Sequence, residues 1–155
     1  MRGRKPSKRG TVSDPVYRNE DVTRFINKMM WCGKKTVAED IFYGAMNIIK
    51  EKTGEEGHEV FRKALENARP HVQVRSRRVG GSTYQVPIDI KPQKQIEHAM
   101  RWIIQYSRAR KGKPMMEKLA QELMDAASGT GSSVKKKDDT HRMAEANRAF
   151  AHYRV

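Results

Sequence analysis

The chain has 155 residues, 32 Lys and Arg against 18 Asp and Glu, a formal charge of +14 and a pI near 10.1. A length of this order suits one domain that buries about 70% of its unfolded surface without help from metal or disulfide, and the single cysteine, Cys32, excludes an intramolecular disulfide or a cysteine-based zinc site. A charge this large on a compact body calls for a polyanionic partner, nucleic acid before a membrane surface, and no apolar run is long enough to span a bilayer.

Residues 1–18 place Arg2, Arg4, Lys5, Lys8 and Arg9 ahead of any acidic residue, and Gly3, Pro6, Gly10 and Pro15 break any regular element. This predicts a basic extension that stays flexible until phosphates order it. No apolar stretch follows its first cations, which argues against a secretory signal, and Asp14 argues against a transit peptide. A helix is expected over about 19–31, where Val22, Phe25, Ile26, Met29 and Met30 draw one apolar stripe. Cys32, beside that stripe, reads as a small buried hydrophobe. Gly33 closes the helix, Lys34 and Lys35 stand in the connection, and Thr36 with Glu39 has the spacing of a capping box. The second helix then turns Val37, Ile41, Ala45, Ile48 and Ile49 inward. A third buries Phe61, Ala64, Leu65 and Ala68 before Pro70 stops it.

The period changes over 72–90. Val72 and Val74, then Tyr84, Val86, Ile88 and Ile90, alternate with polar residues around Gly80-Gly81, the signal of a β-hairpin. Pairing across that turn sets Arg77 opposite Tyr84, Ser76 opposite Gln85 and Arg75 opposite Val86. Val72, Val74, Ile88 and Ile90 would root the ribbon, and its outer half, with no clean apolar face, would project. Pro87 is acceptable on the open edge of a two-stranded ribbon.

Helices resume at Pro92, with Ile96, Ala99, Met100, Ile103 and Ile104 inward, and end in the basic cluster Arg108, Arg110, Lys111 and Lys113. Met116, Leu119, Ala120, Leu123, Met124 and Ala127 form the next stripe. After a Ser/Gly/Thr link at 128–133, a last helix carries Lys135, Lys136 and Lys137 near its start and Met143, Ala146 and Phe150 further on. Three lysines at the positive end of a helix oppose its dipole, so they suit phosphate better than they suit the helix. The expected fold is mainly α: five to six helices bundled in one domain over 19–155, with one projecting hairpin behind the 1–18 extension.

Catalytic signals are weak. Gly33-Lys34-Lys35 lacks the first glycine and the following Ser or Thr of a P-loop. Val79-Gly80-Gly81-Ser82 joins two strands rather than opening a helix, unlike a dinucleotide fingerprint. Asp138, Asp139 and His141 read as a solvated helix face, and no histidine pair has the spacing of a metal hydrolase. No enzyme, cofactor, metal or small-molecule substrate is expected. The cations instead form five patches at element ends and loops: the extension, Lys34-Lys35, the hairpin arginines, the 108–113 loop and Lys135–Lys137. Such scattered patches suit an irregular folded RNA better than a DNA duplex read by one recognition helix. Tyr84 beside Arg77 offers either a stacking surface for a base or a purely structural cross-strand pair.

Three runs carry a resemblance. Phe25-Ile26-Asn27-Lys28 with Gly33-Lys34-Lys35 and Ile41-Phe42-Tyr43, then Val74-Arg75-Ser76-Arg77-Arg78-Val79-Gly80-Gly81 through Tyr84-Gln85-Val86-Pro87, then Glu122–Ala127 and His141–Asn147, together resemble the bacterial ribosomal protein seven family of the small subunit. The resemblance spans essentially the whole chain in order, departing at Val155, where an aromatic is expected. It implies a primary binder of small-subunit (16S) ribosomal RNA that nucleates the 3′ major, or head, domain, located in the cytoplasmic ribosome or its organellar equivalent. It also implies a hairpin near the exit-site (E-site) transfer RNA and the messenger exit path, and contact with neighbouring small-subunit proteins. By position, the extension, Lys34, Lys35, Arg108, Arg110, Lys111, Lys113 and Lys135–Lys137 would hold ribosomal RNA. Arg75, Arg77, Arg78, Gly80, Gly81 and Tyr84 would form the exit-site hairpin. A messenger-binding regulator, a DNA-architectural protein and an RNA-processing enzyme are the alternatives.

Overall fold

The computed structural model describes Gly3 and residues 10–153. Its core is organised around three phenylalanines drawn from three helices: α1 (Glu20–Met29), α2 (Lys35–Thr53) and α3 (Gly57–Ala68). Phe25, Phe42 and Phe61 meet tilted or edge-on, with ring centroids 5.2–5.7 Å apart, the geometry that ring quadrupoles favour. α4 (Pro92–Ala109) and α5 (Met115–Ala127) complete the bundle, and Met100, Ile103, Leu119 and Leu123 are fully buried. α6 (Ser132–Ala146) lies against α3, α4 and α5 and against the antiparallel ribbon of β1 (Val72–Val79) and β2 (Ser82–Asp89). A 3-10 segment, Arg148–Tyr153, then packs on β2. The fold is thus mainly helical with a single hairpin, as expected.

The ribbon has the expected register, with Arg77 opposite Tyr84, Ser76 opposite Gln85 and Arg75 opposite Val86. Gly80 and Gly81 turn it with φ of 57° and 89°, left-handed values that any side chain would strain. The root differs from expectation. Val86 and Ile90 are the buried residues, whereas Val72, Val74 and Ile88 are only half-buried. α6 and the 3-10 segment both lie against the ribbon, so packing climbs to Tyr84 and the free part is the tip from Arg78 to Thr83.

The corrections on α2 come from its phase, since a helix face rotates by about 100° for each residue of shift. The Thr36–Glu39 capping box does not form. α2 already begins at Lys35, behind Lys34 with no side-chain cap, and Glu39 pairs with Lys35 at 3.4 Å instead. The buried face is then Ala38, Phe42, Ala45, Met46 and Ile49, with Ile41 and Ile48 half-buried and Val37 exposed. Met116 and Met143 are likewise exposed, as is Ala146. Cys32 is exposed rather than buried, because α1 has already ended and the residue adopts a left-handed φ of 52° in the following turn.

Asp14 and Tyr17, which the sequence groups with the extension, are packed on the domain. The Asp14 carboxylate is almost fully buried and accepts from the backbone N–H of Val16 and Tyr17 and from the Tyr43 hydroxyl. Tyr17 stacks on His58 at 5.0 Å. Asn19 then caps α1 by accepting from the Asp21 N–H at 2.8 Å, so this segment fixes the start of the first helix.

Candidate nucleic-acid interface

A polar, cationic stripe runs along α4. Lys94, His98, Arg101, Gln105 and Arg108 recur at steps of four and three residues, which stacks them on one side of the helix, opposite buried Ala99, Met100, Ile103 and Ser107. The stripe runs roughly 20 Å at 1.5 Å per residue. Three grooves follow it in turn. Arg75, Lys91, Lys94 and His98, together with Asp89, line the first, at the hairpin base. Lys28 of α1 joins Arg101, Gln105 and Arg108 in the second, of about 310 Å³. Arg108 also lines the third, together with Trp31, Lys34 and Met115. The fold therefore brings the hairpin arginine, α4 and the α1–α2 turn onto one continuous surface.

Cations outnumber carboxylates on this surface, which also carries Asp89 and Glu97. Lys94 is paired with Glu97 at 2.6 Å, but Lys28, Lys34, Arg101 and Arg108 are exposed and form no ion pair with a described carboxylate. His98 reports the resulting potential. Burial first, then the charge of Arg101, with smaller contributions from Lys94 and Lys28, holds its pKa below the ordinary 6.5 against the opposing charge of Glu97.

The α1–α2 turn is built to display its residues. Cys32 and Gly33 both have left-handed φ, of 52° and 71°, and the Lys34 N–H donates to the Trp31 carbonyl at 3.0 Å across them. Arg108 ties the turn to α4: its Nη2 donates to the Met29 carbonyl at 2.8 Å, and its guanidinium lies 5.0 Å from the Trp31 ring centroid.

The residues expected from sequence to bind RNA are not equivalent in space. Lys34 and Arg108 share a groove, while Lys35 is paired with Glu39. Lys111 is exposed in the α4–α5 loop, and Lys113 lies 3.9 Å from Glu117. Arg110 is engaged internally. Its Nε and Nη2 donate to Glu122 at 3.0 and 2.7 Å, and Nη2 also reaches Asp125. Burial opposes the charge on this guanidinium, yet the bonds from the two carboxylates raise its pKa above the ordinary arginine value. Glu122 is fully buried and uses its other oxygen to accept from the Ser133 N–H and hydroxyl, which caps α6 where its own Gly131 cannot.

Lys135 and Lys136 are exposed on the helix anchored in this way, but they line none of the three grooves. Lys137 is half-buried, 3.6 Å from Asp138. On the hairpin, Arg75 joins the stripe, Arg78 and the Gly80-Gly81 turn are exposed, and Arg77 is half-buried. Tyr84 has a third role beyond the two that the sequence left open: its ring packs on Tyr153 at 5.1 Å and Phe150 at 5.4 Å, holding the 3-10 segment on β2. Arg2, Arg4, Lys5, Lys8 and Arg9 lie outside the described residues.

Lys28, Trp31, Lys94, His98 and Arg101 escape inspection of the sequence, because isolated cations three or four residues apart do not look like a patch. A helical projection of 92–109 is the signal that finds those on α4. Among the described residues no cluster of three or more His, Cys, Asp or Glu could hold a metal ion, and no helix is long and apolar enough to cross a membrane.

Comparison with known proteins gives a uniform result. The family described as Ribosomal protein S7p/S5e matches residues 1–148. Proteins named small ribosomal subunit protein uS7 are similar to this chain over nearly its whole length. That of Thermoanaerobacter pseudethanolicus is 57% identical over 147 residues, covering 95% of this chain and 94% of its own. That of Caldanaerobacter subterraneus is 58% identical with the same coverage. That of Thermotoga neapolitana is 56% identical over 154 residues, 99% of each chain.

Proposed function

The chain belongs to the ribosomal protein S7p/S5e family, and from that premise we propose that it is a structural, non-enzymatic, RNA-binding protein of the small ribosomal subunit. In this reading it is a primary binder of 16S ribosomal RNA that nucleates assembly of the 3′ major, or head, domain. The observation that carries it is the surface along α4, where Arg101 and Arg108, with Lys28 of α1 and Lys34 of the α1–α2 turn, are exposed and pair with no described carboxylate. A folded RNA supplies phosphates along a curved path, and a row of cations over roughly 20 Å can meet several of them at once. The exposed lysines Lys111, Lys135 and Lys136 would hold further strands, as would Arg2, Arg4, Lys5, Lys8 and Arg9. The hairpin, with Arg75, Arg77, Arg78, Gly80, Gly81 and Tyr84, would lie near the E-site transfer RNA and the messenger exit path. Neighbouring small-subunit proteins would complete its surroundings.

The test is binding to the isolated 3′ major domain of 16S ribosomal RNA across a salt series, with transfer RNA and duplex DNA as competitors. Tight binding that survives both competitors and falls steeply with salt is expected, since six to ten phosphate contacts cost about 10³–10⁵ in affinity between 50 and 200 mM salt. Binding erased equally by any polyanion would overturn the specific ribosomal site and leave only a basic protein.

A further inference from the structure

We propose that Trp31 is a stacking platform for an unpaired nucleotide of the RNA partner, so that the α1–α2 turn selects a bulged or single-stranded base rather than a duplex. The proposal rests on the RNA-binding reading above and adds to it the kind of nucleotide taken at this one place.

Trp31 is 73% exposed, an unusual position for the largest apolar side chain. It is not loosely held. The turn behind it is closed by the Lys34 N–H on its carbonyl, and Arg108, itself fixed on the Met29 carbonyl, lies over one face of the ring. Arg108 covers one indole face, and with that much of the residue exposed the opposite face is open to a base. Next to it runs an apolar groove of about 190 Å³, bordered by Val37, Ile41 and Met115, with Lys34 and Arg108 at its rim.

The combination of chemistries narrows the occupant. Cations alone would serve any phosphate, and an indole adds nothing to a phosphate contact. A π-face rimmed by unneutralised cations matches a base that has left its stack, with its own phosphates close by. Paired bases in an A-form helix keep their faces against one another and offer none to the ring. The charge also argues against an ordinary protein neighbour, which would have to bring carboxylates to Lys28, Lys34, Arg101 and Arg108 together.

The test uses the full chain and three probes: a short oligouridine strand, a perfect RNA duplex, and the same duplex with one bulged uridine. Affinities and intrinsic tryptophan emission are measured for the wild type, Trp31→Ala and Trp31→Phe. Losing one stacked base weakens binding by about 5- to 150-fold, so Trp31→Ala should weaken oligouridine and the bulged duplex by at least several-fold more than the perfect duplex. Trp31→Phe should recover part of the loss. Emission of the wild type should be quenched by oligouridine and by the bulge, and the Trp31→Ala protein, which keeps only Trp102 buried at 9% exposure, should not show that quenching. Equal losses on all three probes, or tight oligouridine binding without quenching, would overturn the platform while leaving RNA binding intact. Failure of every probe to bind at low salt would instead bring down the RNA-binding reading, and the platform with it.

Discussion

Arg108 and Arg110 lie two residues apart at the end of one helix, and their surroundings differ in kind. Arg108 meets a carbonyl and the face of an indole, and no described carboxylate neutralises it. Arg110 meets Glu122 and Asp125, and through Glu122 it reaches the first turn of α6. The first charge remains available to a ligand. The second holds three parts of the fold together, because a buried carboxylate needs all its lone pairs satisfied. A count of basic residues treats the two as one patch, whereas carboxylate neighbours separate a binding cation from a structural one.

The largest expected effect would break the structural half of this comparison. Glu122→Ala should cost about 3–5 kcal/mol, because it strips a buried ion pair and the α6 cap together, and a urea unfolding midpoint reads it directly. Arg110→Ala should cost a comparable amount, because it leaves the fully buried Glu122 carboxylate without its cation, with RNA affinity of the folded protein nearly unchanged. A stable Glu122→Ala protein would show that the junction is not held this way.

The next effect sharpens the binding half. Replacing Lys28, Arg101 and Arg108 together by alanine should flatten the dependence of log affinity on log salt by about 2–3, at close to one unit for each phosphate no longer neutralised. An unchanged slope would place the RNA on another face. His98 gives a subtler probe of the same surface. RNA phosphates near the stripe should raise its pKa, which cations and burial now depress, so the histidine resonances titrated with and without RNA should show an upward displacement.

The smallest effect lies at the hairpin root. His141 Nε2 accepts from the His71 N–H at 3.0 Å, which requires that nitrogen to be unprotonated. Burial first, then Lys137 and His71, against Asp138, holds the His141 pKa below 6.5. The cavity beside it also carries Asp89 of β2, Glu145 of α6 and Arg148. A depressed histidine contributes stability that is present in full above about pH 6.5 and is lost as pH falls through the folded-state pKa. Stability should therefore decline on acidification below that value, less steeply in His141→Gln, as thermal melts across a pH series would show.

Much of this was legible in the chain itself. Helix number, the hairpin with its register, the dominance of cations over catalytic groups and the family all followed from periodicity, the Gly80-Gly81 pair, charge and motif runs. These are local or cumulative properties, and neighbours in sequence suffice to express them. The phase of α2 was not legible, because Thr36 and Phe42 propose different faces and the meeting with Phe25 and Phe61 decides between them. Nor was the role of Tyr84, which depends on a segment more than sixty residues later. The sequence alone determined that this protein is a basic, mainly helical chain suited to a polyanionic partner, since net charge and apolar spacing survive any arrangement of the elements. Only the tertiary structure decided which cations remain available for that partner, because whether a charge is neutralised depends on what the fold brings within a few ångströms of it.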